Sequence, residues 1–282
     1  MRKKSRFFLL FIILTLGAGI VAGGWYYLTF HYPNITTEDG KTAYLLVPRG
    51  TTYEQLIDSL RSGGHLTMEQ TFRCAAKHEN LPENVHAGRY ALTHGMNNRE
   101  LARKLAMGWQ DPLNITINAP IRTFERLASV LARNLEIDSA LVLQHLRNDS
   151  LIATFGFDSV SLRGMFIPNT YQVYWTISGE DLLERMSREY NSFWNEQRKE
   201  KARSIGLTIR QVSTLASIVN EETKKTDEMP VVAGVYMNRL RIGMPLQADP
   251  TLIFAAQDYS IRRVLARHKR IESPYNLSLI HI

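Results

Sequence analysis

The chain opens on an uncharged apolar run from Phe7 to Phe30, and no later stretch matches it for length. At ~1.5 Å per residue in a helix, the run crosses a ~30 Å hydrocarbon layer. Trp25, Tyr26 and Tyr27 fall where an interfacial aromatic belt belongs. Arg2, Lys3, Lys4 and Arg6 stand before the run, which predicts a cytoplasmic tail at 1–6 and an outside location past about residue 31. A cleaved signal peptide would carry a shorter apolar core of ~7–15 residues, so 7–30 reads as an uncleaved transmembrane helix.

Beyond it, 31–41 is polar, with Pro33, Asn34 and Gly40, and reads as a spacer. A βααβα rhythm follows over 42–112. Tyr44 to Val47 reads as a strand, and Thr51 with Glu54 as a capping box. The helix behind it carries Leu56, Ile57 and Leu60 and stops at Gly63-Gly64. Thr67 with Gln70 repeats the cap before a helix bearing Phe72, Ala75 and Ala76, in which Cys74 reads as a small buried hydrophobe. Gly88 to Leu92 predicts a second strand, and Asn97 with Glu100 a third capped helix ending at Gly108.

Leu113 to Ile117 alternates with period two and predicts a strand. Helical spacing then runs from Thr123 to Leu135 and from Ser139 to Arg147. A long charged helix is expected from Leu182 to about Arg203, its Glu196–Lys201 charges on a solvated face. The pattern as a whole is α+β.

Composition narrows the functions. The formal net charge of +7 falls to +3 once the four cations ahead of the apolar run are set aside, so no nucleic-acid partner is expected. One cysteine excludes a disulfide scaffold, a zinc ribbon and an iron–sulfur site built within one chain. HExxH, GxxxxGK[ST], GxSxG and GxGxxG are absent, and the eight histidines form no helical i, i+4 pair, so no metal or cofactor is expected.

The informative segment is Thr208 to Thr223. Thr208 with Gln211 caps a helix whose Ile209, Val212, Leu215, Ile218 and Val219 form one stripe. Glu222 continues that stripe, because seven residues after Leu215 is ~700°, or ~20° from Leu215's own direction. Glu221 turns ~100° away. A carboxyl on an apolar face is desolvated, which favours its protonated form, the state a glycosidic general acid needs. The alternative is that Glu222 closes the helix end and pairs with Arg239 or Lys225. A second helix starts at Pro230 and ends near Gly243, and Asp249-Pro250 reads as an N-cap with a first-turn proline. Glu222, Asn238, Arg239, Gln247 and Asp249 would then rim a cleft.

At these residues the chain is similar to a known family. Ala216 to Thr223 (Ala-Ser-Ile-Val-Asn-Glu-Glu-Thr), Val232 to Leu240 and Met244 to Thr251 resemble the motifs of the MltG (YceG-like) endolytic murein transglycosylases. Gly164 to Tyr171 and Ser273 to Asn276 resemble two more. The resemblance implies a single N-terminal transmembrane helix, a small LysM-like βααβ module at 42–112 and a mixed α+β catalytic domain at 113–276. It implies an enzyme of the bacterial inner membrane, with its catalytic domain outside the cytoplasm, that cuts nascent peptidoglycan within its glycan strands. The β-1,4 bond between N-acetylmuramic acid and N-acetylglucosamine breaks without water and leaves a 1,6-anhydro end. Glu222 takes the place of the family's catalytic glutamate. Asn238, Arg239, Gln247, Asp249, Tyr171, Tyr275 and Asn276 fall on motif positions expected to bind or orient substrate. The implied partners are glycan strands, the lipid bilayer and peptidoglycan synthases.

Two departures stand out. Arg163 replaces an acidic residue before Gly164, and 277–282 reads as an aberrant end that leaves the catalytic domain incomplete. Two other functions fit the residues: a non-catalytic peptidoglycan-binding scaffold and a lysozyme-type hydrolase.

Overall fold

The computed structural model describes residues 2–118, 121–273 and 275–277, so the Pro274 position and the 278–282 end lie outside the described residues. The chain divides into two compact units. Unit 1 holds Met1–Leu113 and Gln172–Ile177, and unit 2 holds Asn114–Tyr171 and Ser178–Ile282.

Unit 1 begins with α1 (Arg2–Phe30), whose stretch Phe11–Phe30 is long and apolar enough to cross a membrane and is uncovered by protein except near its end, where Thr29 is buried. Trp25, Tyr26 and Tyr27 are exposed on it. There follow β1 (Ala43–Val47), α2 (Tyr53–Ser62), α3 (Glu69–His78), β2 (Gly88–Leu92) and α4 (Asn98–Ala106). β1 and β2 pair antiparallel, with Leu45 opposite Tyr90. Their inner side chains close with Leu56, Ile57, Leu60, Phe72, Leu101 and Leu105 into one core. Each such side chain contributes ~1.5–3 kcal/mol when fully buried.

Local signals place the elements well and their caps less well. The box on α2 is Thr52 with Gln55, one residue later than the pattern suggests. α3 has no side-chain cap: Met68, and not Thr67, holds the cap position, and its own amide donates to Asn34 Oδ1. Cys74 is exposed and not buried: the stripe of α3 is Thr71, Phe72, Ala75 and Ala76, and Cys74 points away from it. The expected spacer is folded into the unit. Asn34 and Ile35 are fully buried, and Pro33 and Ile35 bridge to Asn97 and Leu66.

β3 (Leu113–Ile117) opens the rest of the chain, followed by α5 (Phe124–Ala132), α6 (Ser139–Leu146) and α7 (Asp149–Thr154). Then come β4 (Asn169–Val173), α8 (Gly179–Phe193), α9 (Glu196–Ser204), α10 (Ile209–Glu222), α11 (Met229–Arg241) and α12 (Asp249–Ala256). β3 pairs with β4, a strand that the polar Asn169-Thr170 start conceals. The long charged helix is two helices, because Asn195 caps α9 through the Arg198 amide and forces a new start. Only Ala202 of α9 is buried, so its charge run is a solvated face. Residues 172–177 return to unit 1 through Thr176, whose carbonyl accepts from Arg49 and whose hydroxyl accepts from Gln110 at 3.2 Å.

Candidate active site

The site lies in unit 2, between the end of α10, the middle of α11 and the start of α12. α10 is opened by the Thr208–Gln211 capping box and buries Leu215, Ile218 and Val219 against Tyr236, Leu246 and Ala248. α10 ends at Glu222, where Thr223 turns to extended backbone (φ −140°, ψ 144°). The connection to α11 is closed locally. Thr223 Oγ1 donates to Glu228 at 2.8 Å, and Lys225 pairs with Glu228 at 2.8 Å.

A cleft of about 360 Å³ opens there, at the small end of the ~300–1,000 Å³ common for ligand sites. Glu222, Arg239, Gln247 and Asp249 line it together with Val232, Val235 and Tyr236. Four of the residues singled out in the sequence therefore meet on one surface.

The environment of Glu222 differs from the expectation. It is exposed on the cleft wall, where the helical stripe predicted a carboxyl covered by apolar side chains. The reason is the position: Glu222 is the last residue of α10, one turn past the buried Ile218 and Val219, and it stands on the cleft that Val232, Val235 and Tyr236 of α11 also line. Neither Arg239 nor Lys225 is its ion-pair partner. Its Oε1 accepts a 2.8 Å hydrogen bond from the hydroxyl of Tyr236. Burial pushes the Tyr236 phenol well above its ordinary range, and the bond to Glu222 pushes it further, so Tyr236 stays a proton donor to the carboxyl. Its spacing along α11 makes Tyr236 read as core; the signal for its second role is that a buried tyrosine hydroxyl must find a partner.

The opposite wall is a loop held in a strained form. Gln247 has φ 53°, a left-handed conformation uncommon outside glycine, and is fixed by buried neighbours Leu246 and Ala248. Its backbone N–H donates to the Leu277 carbonyl at 2.9 Å. The Arg239 guanidinium donates to the Leu246 carbonyl and lies 6.0 Å from the Tyr236 ring centre, so it braces the loop that presents Gln247. Asp249 is the first residue of α12 and not its cap. Ala248 holds the cap position without a side-chain bond, which leaves the Asp249 carboxyl exposed on the cleft.

The other four predicted residues do not line the cleft. Asn238 is exposed on α11 and accepts from Arg241 at 3.1 Å. Tyr171 is a core residue of β4, its hydroxyl donating to the Ile167 carbonyl. Tyr275 packs edge-on against Phe254 at 4.8 Å. Asn276 is buried and donates to the carbonyls of Lys269 and Ile271 at 3.0 and 2.8 Å, which shapes the loop around it. Arg163 stacks over Phe124 at 4.3 Å and Phe254 at 5.6 Å. Among the described residues no cluster of histidine, cysteine or carboxylate has the grouping a metal needs.

The YceG-like family model matches residues 45–281. An endolytic murein transglycosylase of Bacillus subtilis (strain 168) is 25% identical over 275 residues, which cover 91% of this chain and 75% of that protein. Two proteins of the same description from Streptococcus pneumoniae, strains D39 and R6, are 25% and 26% identical over 303 residues. These alignments take in 96% of this chain but 54% of each relative, so the chain spans about half their length. The solved structure of a yceG-like protein from Listeria monocytogenes shares the fold, with a TM-score of 0.52 at 20% identity over 84% of this chain and 82% of that one.

Proposed function

The chain belongs to the YceG-like family, and from that premise we propose that it is a membrane-anchored lytic transglycosylase that cuts peptidoglycan within its glycan strands. The observation that carries this reading is Glu222: a carboxyl at the edge of an open cleft, with its orientation set by the Tyr236 hydroxyl.

In the proposed reaction, protonated Glu222 gives its proton to the oxygen that leaves C1 of the muramic sugar as the glycosidic bond breaks. The resulting carboxylate takes the proton of the muramic 6-hydroxyl while that oxygen bonds to C1. One carboxyl serves both steps, and water takes no part. A saccharide laid across the cleft excludes water from the carboxyl, which supplies the dry surroundings that general acid catalysis favours. In this reading Gln247 and Asp249, which line the cleft, bind sugar hydroxyls, and Arg239 acts by bracing their loop.

The β1–α2–α3–β2 order of unit 1 supports reading 42–112 as a LysM-like glycan-binding module, and α1 as a single-pass anchor in the inner membrane with its N-terminus in the cytoplasm. Enzymes that polymerise glycan strands are the protein partners this reading implies. Asp249 lends some weight to a lysozyme-type hydrolase, because it brings a second carboxylate into the cleft.

The test is product identity. The detergent-solubilised full chain, incubated with uncrosslinked glycan strands, should release fragments with 1,6-anhydro-muramic ends by mass spectrometry. Ordinary reducing ends would favour the hydrolase, and binding without cleavage the scaffold.

A further inference from the structure

Two adjacent glutamates close α10, and a helix C-terminus is a poor place for them. The helix dipole puts about half a negative charge there, and the last turn of α10 carries no basic residue. The last carbonyls of a helix also lack intrahelical partners, so its end frays unless something holds it. Glu222 needs a fixed direction, yet it sits on this unfavourable turn.

The compensation comes from far along the chain. Arg122, in the segment before α5, donates from Nη2 to Glu221 Oε2 at 2.7 Å across 99 positions of sequence. Glu221 is more sheltered than its neighbour, and its Oε1 is buried without a hydrogen-bond partner. Lys224 reaches that oxygen only at 3.6 Å, and as an i, i+3 neighbour it ties the helix end merely to its own continuation. Arg122 also lies 5.2 Å from the ring centre of Tyr259, just past α12, and its carbonyl accepts from the Tyr259 hydroxyl at 3.4 Å. One arginine thus joins the end of α10, which carries Glu222, to the segment that follows α12, which carries Asp249.

We propose that Arg122 and Glu221 are positioning residues for the reaction proposed above: the pair pins the last turn of α10 so that Glu222 meets the glycosidic oxygen. The inference rests on Glu222 being the acid. An ion pair whose guanidinium stays open to solvent contributes little to stability, so its value here is geometric. A displacement of about 1 Å at a reacting group costs up to ~100-fold in rate.

The experiment measures kcat and KM of the full chain on uncrosslinked strands, with thermal melting of each variant alongside. Glu221→Gln and Arg122→Ala should each lower kcat about 10- to 100-fold with KM and melting near the parent's. The charge-exchanged double variant Arg122→Glu/Glu221→Arg should recover most of that loss, and Lys224→Ala should keep the parental rate. Parental kcat in both single variants, a loss confined to KM, or no recovery in the exchanged pair overturns the proposal. Glu222→Gln separates the two levels. If it is inactive while the Glu221 and Arg122 variants are parental, only the clip fails; if it retains full activity, the acid and the clip fail together.

Discussion

Unit 1 and unit 2 each gather polar side chains in one place, with opposite outcomes. In unit 1, Asn34 and Asn98 are fully buried and saturate each other. Asn34 Nδ2 donates to Asn98 Oδ1 at 2.6 Å and to the Met68 carbonyl at 3.0 Å. Asn98 Nδ2 donates to the Thr29 carbonyl at 3.0 Å and to Thr71 Oγ1 at 3.1 Å. This network fastens the end of α1 to α3 and α4 and has no capacity left for a ligand. In unit 2, Glu222, Gln247 and Asp249 face an open cleft, and among the described residues the only side-chain bond to Glu222 comes from Tyr236. Polar groups that satisfy one another in a sealed space are structural; those held in position but left facing solvent are available for chemistry.

If that contrast is right, variants in the two clusters should fail in different ways. The largest effect is expected from Glu222→Gln. Strand cleavage should fall about 10²- to 10⁴-fold, the usual worth of a general acid–base group, with the denaturation midpoint unchanged. Retained cleavage would remove the distinction. Next comes Asn98→Ala, which leaves one N–H of the Asn34 side chain and the Thr29 carbonyl buried without the bonds they make to Asn98. It should cost unit 1 about 3 kcal/mol in denaturant unfolding, at ~1–3 kcal/mol for each orphaned group. Little loss of stability would mean that water reaches the network.

Tyr236→Phe is a smaller and sharper test. The ring stays packed and only the bond to Glu222 goes, so cleavage should fall about 10-fold, in keeping with ~1.5 kcal/mol for a bond to a charged group. The melting temperature should hold. A fall in stability without a fall in rate would make Tyr236 purely a core residue.

The smallest effect concerns acid. Hydrogen bonds from Arg61 and Arg73 hold Glu69 down to about 2, from an ordinary 4.5. Burial pushes Glu79 up, but Arg103 and Arg99 outweigh it and the carboxyl ends below its ordinary value. Depressed carboxyls add stability above the unfolded value and lose it as pH falls through the folded one. Unit 1 should therefore weaken between about pH 4.5 and 2, read by amide hydrogen exchange in α3 and α4. Flat protection across that window would show that these ion pairs add nothing to the unit.

Much of the fold was legible along the chain. The apolar run, the strands at β2 and β3, the Asn97 and Thr208 caps and the start of α11 are local events, decided by periodicity and by side chains three or four residues apart. The candidate site was half legible. Glu222, Arg239, Gln247 and Asp249 do meet, whereas Asn238, Tyr171, Tyr275 and Asn276 serve other contacts and Tyr236 went unseen. The helical wheel placed Glu222 on the covered face and Glu221 off it, and the structure reverses their exposure. A wheel assumes that every position on the stripe is covered alike, and here the last one opens on a cleft while Val219 beside it stays buried.

The sequence by itself therefore determined the membrane-length helix, the strands and helices of unit 1 and the family motifs, because each depends on near neighbours. Tertiary structure alone decided which polar groups were sealed and which were left open. Asn34 is buried because Asn98 lies across from it, 64 positions on, and Glu221 is held because Arg122 arrives from 99 positions before. Burial and pairing are properties of what covers a residue, and that cover comes from parts of the chain that only folding brings near.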